Sequence, residues 1–163
     1  MAAVIHFSRR NIEEQTGGPF AAGVFERETG KPIIIGVNRV MDSGLSCAHA
    51  EFMTISAAQL ILGSFDLGGP GMADHQFVVN WRPCVMCMGS TLWSGARSLV
   101  IAGEGPELED ITGFDEGPVH PNWRAELEAR GIQVTSDVLR DDAIAVFEQF
   151  RDTRQHVYNP RQG

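Results

Sequence analysis

The sequence predicts a three-layer α/β/α fold around a mixed five-stranded sheet whose last two strands run parallel. Short apolar runs of strand length alternate with longer helical patterns, which places helices on the faces of a sheet. The first two strand-like runs are separated only by the turn Thr29-Gly30-Lys31, and this predicts a hairpin. The last two are separated by a helical segment, a crossover that favours parallel pairing.

The elements follow in order. Residues 1–16 read as a short helix ending at the turn signal Gly17-Gly18-Pro19. Phe20 to Glu28 and Pro32 to Val40 form the hairpin strands. His49 to Leu62 repeats apolar residues at Phe52, Ile55, Ala58 and Leu60 to Leu62, a helical spacing. The Gly/Pro-rich stretch Gly63 to Asp74 is a surface connection. His75 to Trp81 suits a buried central strand. Pro83 fits as the first residue of a helix over Cys84 to Gly95, where its missing N–H is not needed. Ser98 to Ala102 is the next strand, with helix capacity around Pro106 to Ile111 in the irregular stretch that follows. Trp123 to Arg130 is helical and stopped by Gly131. Ile132 to Thr135 is the last strand, and Leu139 to about Thr153 the last helix.

With 163 residues the chain fits one domain, residues 1–163, followed from about residue 154 by a C-terminal tail. No apolar run reaches the length of a membrane span, and the N-terminus lacks the basic-then-apolar order of a secretion signal. A cytoplasmic location is the expectation. Three cysteines, two of them in a C-x-x-C spacing, argue against a disulfide framework. The net charge of -8 weighs against a nucleic-acid partner, because phosphate contacts need Lys and Arg. A small-molecule substrate suits this surface better, and no membrane partner is expected.

Chemistry concentrates in two segments, Cys47-Ala48-His49-Ala50-Glu51 and Pro83-Cys84-Val85-Met86-Cys87. His49, Cys84 and Cys87 offer three ligands for one zinc ion with the fourth position left to water. Zinc lowers the pKa of such a water from about 15.7 to roughly 7. Glu51 lies two residues beyond His49 and is free to take a proton from that water and return it to a leaving amine. A redox C-x-x-C pair is an alternative, but it would leave His49 and Glu51 idle. A closed, structural Cys₃His site using Cys47 is another.

H-x-E followed by P-C-x-x-C is the signature of the cytidine deaminase-like zinc deaminases, and His49, Glu51, Pro83, Cys84 and Cys87 match it. Further segments resemble the bacterial guanine deaminases of this fold. They are Gly17-Gly18-Pro19-Phe20-Ala21-Ala22, Gly36-Val37-Asn38, Leu92-Trp93-Ser94-Gly95 and Gly113-Phe114-Asp115-Glu116. The resemblance implies hydrolysis of the amine at C2 of guanine to give xanthine and ammonia, with Glu51 as proton shuttle. It implies that Asn38 hydrogen-bonds the base and that Phe20 and His49 flank its faces. Trp93 would line the pocket, the Ala50 N–H would complete recognition at the metal, and Glu116 would be a second catalytic carboxylate at the purine edge. The physics of Glu116 agrees, since an ionised carboxylate is acceptor-only and guanine presents adjacent N–H donors. The resemblance also implies a homodimer in which the tail carries Tyr158 into the neighbouring site.

One departure stands out. The family pattern has a small or polar run ending in Glu before Pro-Cys, where this chain has Asn80-Trp81-Arg82. Losing a carboxylate and gaining Trp and Arg there predicts a reshaped pocket floor, and with it a related 2-amino heterocycle such as ammeline as an alternative substrate. A cytosine, cytidine or other nucleoside deaminase is the same-fold alternative. A tRNA-editing deaminase is opposed by the acidic charge, and a non-catalytic zinc module by the intact Glu51.

Overall fold

The computed structural model describes residues 1–159 and 161. Among the described residues, twelve elements run in the order α1 (Ala2–Glu13), β1 (Ala21–Glu26), β2 (Pro32–Val37), α2 (Val40–Ser43), α3 (Ala50–Leu62), β3 (His75–Val79), α4 (Val85–Trp93), β4 (Ser98–Ile101), α5 (Glu107–Thr112), α6 (Trp123–Glu128), β5 (Gln133–Thr135) and α7 (Arg140–Thr153). The sheet order is β2-β1-β3-β4-β5. β1 pairs antiparallel with β2 and β3, whereas β3–β4 and β4–β5 are parallel. The expected mixed sheet and its parallel end are both present.

Alternation along the strands sorts side chains between two faces. Ala22, Val24, Phe77, Val79, Leu99 and Ile101 point to the side where Ala50, Ile55, Ala58 and Met88 of α3 and α4 pack. Ala21 and Val78 point the other way, against Val4 of α1. On that side α7 adds Ala143, Val146, Phe147 and Phe150, the apolar stripe of an amphipathic helix.

The approach of α3 to the hairpin matters because the start of α3 carries site residues. A Cβ at Gly36 in β2 would lie 2.4 Å from Thr54 Oγ1, so only glycine lets the helix sit this close. The Thr54 hydroxyl then donates to the Ala22 carbonyl at 3.2 Å, pinning the helix to β1.

Three details differ from the sequence reading. The second strand ends at Val37, short of the expected Val40, and Val40–Ser43 forms a four-residue helix, α2. Pro83 lies one residue before the helix cap, because α4 starts at Val85 with Cys84 as its N-cap. Trp81 leaves the strand to become a core residue. Its ring stands edge-on to Phe147 at 5.2 Å, its indole N–H donates to the Gly105 carbonyl at 3.2 Å, and Arg140 lies over its face at 4.9 Å. The tryptophan therefore anchors α7 to the sheet, and its bulk is spent mostly on packing.

Candidate active site

Two helix N-termini meet beside the C-terminal end of β3 and the N-terminal end of β1, which the antiparallel pairing of these strands brings together. His49 is the N-cap of α3 and Cys84 the N-cap of α4, with Cys87 one turn further on. The side-chain donors of His49, Cys84 and Cys87 lie within 4.8 Å of one another, and Cys84 Sγ is 3.5 Å from His49 Nδ1. The positive ends of both helix dipoles favour thiolate here. A hydrogen bond from Cys87, supported by His49, draws the Cys84 thiol down to about 4 against the opposing effect of burial. The same pairing, with burial, pushes Cys87 up. Burial disfavours the charged His49 ring, but the Cys84 hydrogen bond and the Glu51 charge outweigh it and raise its pKa. One imidazole and two thiols converging from two helix starts form a donor set that fits one zinc ion. Cys47, half-buried and free, is not among them.

Glu51 sits in the first turn of α3 and is only 7% exposed. Burial, then the Cys84 charge, pushes its carboxyl up to about 7. Glu116 comes from the loop after α5, where Gly113 takes a left-handed φ of 79° and turns the chain back toward α4. The Val85 N–H donates to the Glu116 carbonyl at 3.0 Å, which fixes this loop beside the start of α4. Burial, followed by the charges of Cys84 and Glu51, pushes the Glu116 carboxyl up to about 9. Both carboxylates and His49 line one cavity of about 470 Å³, together with Phe20, Cys84 and Tyr158. That volume is within the small-molecule range.

Phe20 forms one wall, held edge-on to Phe114 at 5.1 Å. Ala50 is fully buried at the first helical position of α3, directly behind the metal-ligand cluster. Asn38 departs from expectation. Its side chain is fully buried outside the cavity lining, its oxygen accepts from the Gly18 and Val40 N–H groups at 3.2 and 3.3 Å, and its amide donates to the Tyr158 hydroxyl. Asn38 thus orients a cavity wall and does not face the space itself.

Tyr158 lines this chain's own cavity, with the described part of the tail folded onto its own chain. Its ring packs on Phe114 at 4.8 Å and edge-on to His49 at 6.2 Å. Asn159 clasps the Glu116 loop, accepting from the Asp115 N–H at 2.9 Å and donating to the Gly113 carbonyl at 2.7 Å. The expected reach to a neighbouring site also involved Pro160, Gln162 and Gly163, which lie outside the described residues.

Trp93 is corrected outright for this chain's cavity. It is the last residue of α4, 86% exposed, and borders a separate shallow groove with Phe52, Met86 and Ser90. At about 1.5 Å per residue, nine helical positions carry it well away from Cys84. Sequence reasoning did not name several cavity residues as site members, Phe114 and Arg82 among them. Phe114 carried no signal beyond its place in the Gly113–Glu116 segment, whereas Arg82 was visible as a departure.

A family model described as the cytidine and deoxycytidylate deaminase zinc-binding region matches residues 1–103. The chain belongs to this family. It is therefore a zinc-dependent hydrolytic deaminase, and the His/Cys/Cys cluster fits one zinc per chain. Among solved structures, a guanine deaminase from Nitrosomonas europaea is 46% identical, over 93% of this chain and 82% of that one, with a TM-score of 0.89. A mutant of the protein NE0047 in complex with 8-azaguanine is 46% identical over 93% of this chain and 83% of that one, with a TM-score of 0.89. A guanine deaminase from Bacillus subtilis is 28% identical, over 63% of this chain and 61% of that one, with a TM-score of 0.57. No curated protein matches the chain.

Proposed function

We propose that this deaminase hydrolyses the exocyclic amine of guanine, releasing xanthine and ammonia. The 46% identity to the Nitrosomonas europaea guanine deaminase, over 93% of this chain, carries the reading. The two buried carboxylates in the cavity support it.

Zinc held by His49, Cys84 and Cys87 would act as a Lewis acid that makes a water nucleophilic near neutral pH. Glu51, buried in the first turn of α3, is placed to take a proton on a carboxylate oxygen and give it to the leaving amine. Glu116, raised to about 9, keeps its proton to higher pH than Glu51, and two carboxyls driven apart in this way divide acid and base work. Glu116 retains an acceptor oxygen for a ring N–H in either protonation state. Phe20 and His49 supply the flanking faces, and Tyr158, steadied by Asn38, closes the side of the cavity.

We also read the enzyme as a cytoplasmic homodimer working in purine breakdown. The dimer reading is supported by exposed apolar side chains on α3 and α4, where Phe52, Met86 and Trp93 line one shallow groove. No helix among the described residues is long and apolar enough to cross a membrane.

The deciding experiment measures ammonia release over guanine, ammeline, cytosine, cytidine, guanosine and adenine. Guanine should be turned over well ahead of the others. Turnover of nucleosides without free bases would overturn the substrate. Sedimentation, compared between the parent and Trp93→Glu, tests the dimer, and a parent that runs as a monomer removes it.

A further inference from the structure

We propose that Arg82 is a specificity residue that donates to the carbonyl of the base, while Glu116 accepts from the ring N–H beside it. Together the pair would select a cyclic amide next to the amine that is removed. This rests on the aminated-purine reading above and names the edge that is read.

Arg82 follows β3 and its backbone is tightly held. Its N–H donates to the Gly103 carbonyl at 2.8 Å, and its neighbour Trp81 is 1% exposed in the core. From this fixed base the residue lines the same cavity as Glu116. Its charge reaches that carboxyl, lowering its pKa against the effect of burial. Arg10, Arg27, Arg39, Arg124, Arg130, Arg140 and Arg151 each pair with a carboxylate. Arg82 forms no such ion pair among the described residues, although it is half-buried beside an acidic cavity. An arginine with a fixed backbone that lines the cavity and has no ion-pair partner among the described residues is a donor available to a bound acceptor.

The chemistry of the base supplies that acceptor. Guanidinium is donor-only, and its fork matches the O6/N7 edge of guanine. Guanine places a carbonyl directly beside a ring N–H, so an arginine and a carboxyl side by side complement both groups. Asn38, the other side chain proposed to read the base, has its amide committed to Tyr158, Gly18 and Val40. 2,6-Diaminopurine keeps the amine at C2 but carries a second amine where guanine has its carbonyl. Arg82 would then meet a donor, and a buried polar group left without its partner discriminates strongly.

The test compares kcat/KM for guanine and 2,6-diaminopurine in the zinc-loaded parent, Arg82→Ala and Arg82→Lys, with calorimetric binding of 8-azaguanine as a second readout. Arg82→Ala should lower kcat/KM for guanine about ten- to a hundredfold, mainly through KM, and weaken 8-azaguanine to a similar extent. The diaminopurine value should hold or rise, and Arg82→Lys should recover part of the guanine loss. If Arg82→Ala does not fold, Arg82→Gln carries the same comparison. A guanine-to-diaminopurine ratio unchanged from the parent, whether both rates fall or neither does, overturns the role of Arg82. A parent that turns over neither base overturns the purine reading, and this proposal with it.

Discussion

The Asn38 amide donates to the Tyr158 hydroxyl across 120 positions of sequence. This bond joins the end of the hairpin to the C-terminal tail at the edge of the cavity. Tyr158→Phe leaves a buried amide N–H without a partner, which costs about 1–3 kcal/mol. The variant should melt at lower temperature and show a raised KM for guanine. Truncation after Arg154 removes both Tyr158 and the Asn159 clasp on the Glu116 loop, and should lower kcat/KM at least about tenfold while zinc stays bound. Unchanged guanine turnover in the truncated chain would remove Tyr158 from the site.

Glu51→Gln separates proton transfer from metal binding. The amide is nearly isosteric with the carboxylate, and Glu51 is not one of the three clustered donors. Zinc content by atomic absorption should remain one per chain, while turnover falls about 10²- to 10⁴-fold. A variant that keeps its activity would show the proton shuttle to be elsewhere.

The ligand set has its own test. Cys47→Ala should keep both zinc and activity, since Cys47 stands outside the cluster of His49, Cys84 and Cys87. Cys87→Ser should lose most of the metal. Loss of zinc from the Cys47 variant would replace the open site by a closed four-ligand one.

The hairpin, the parallel end of the sheet and the zinc cluster were legible in the sequence because each is written locally, whereas the order of the strands was not. Alternation marks the strands, and His49, Cys84 and Cys87 are spaced to cap and start helices. Trp93 lies outside this chain's cavity lining, and a motif gives a position along a helix without saying which end faces the cavity. Asn38 was assigned to the base because its partner lies far away in the tail, and no local pattern predicts a bond between them. Trp81 shows the same limit in reverse. It lines the cavity, as its position beside Pro83-Cys84 suggested, but its contacts with Phe147 and Gly105 also make it a core packing residue, which no local pattern announced.

Trp81→Ala should therefore act on stability. Removing a large side chain that is 1% exposed costs about 3–5 kcal/mol, and it also strips the ring that Arg140 covers. Urea unfolding should show this loss, and the Phe147 side of α7 should lose hydrogen-exchange protection first. A stability within about 1 kcal/mol of the parent would mean that the core closes over the gap, as well-collapsing sites can.

Glu116 gives the metal-free protein a pH-dependent stability whose sign is fixed by burial. Its carboxyl is raised from 4.5 to about 9 in the folded chain by burial and by the charges of Cys84 and Glu51. Between these values the folded state holds a proton that the unfolded state releases. Stability from this group is thus complete below the unfolded value and is lost as pH rises through the folded one. The slope is at most about 1.4 kcal/mol per pH unit. Glu51, raised to about 7, adds a loss of the same sign over the lower part of the range. Glu116→Gln cannot release a proton, so its stability relative to the parent should climb steadily from about pH 5 to about pH 8.5. Urea unfolding of both chelator-treated proteins across that interval measures the difference. Parallel curves would mean that Glu116 is solvated enough in the metal-free protein to ionise without cost.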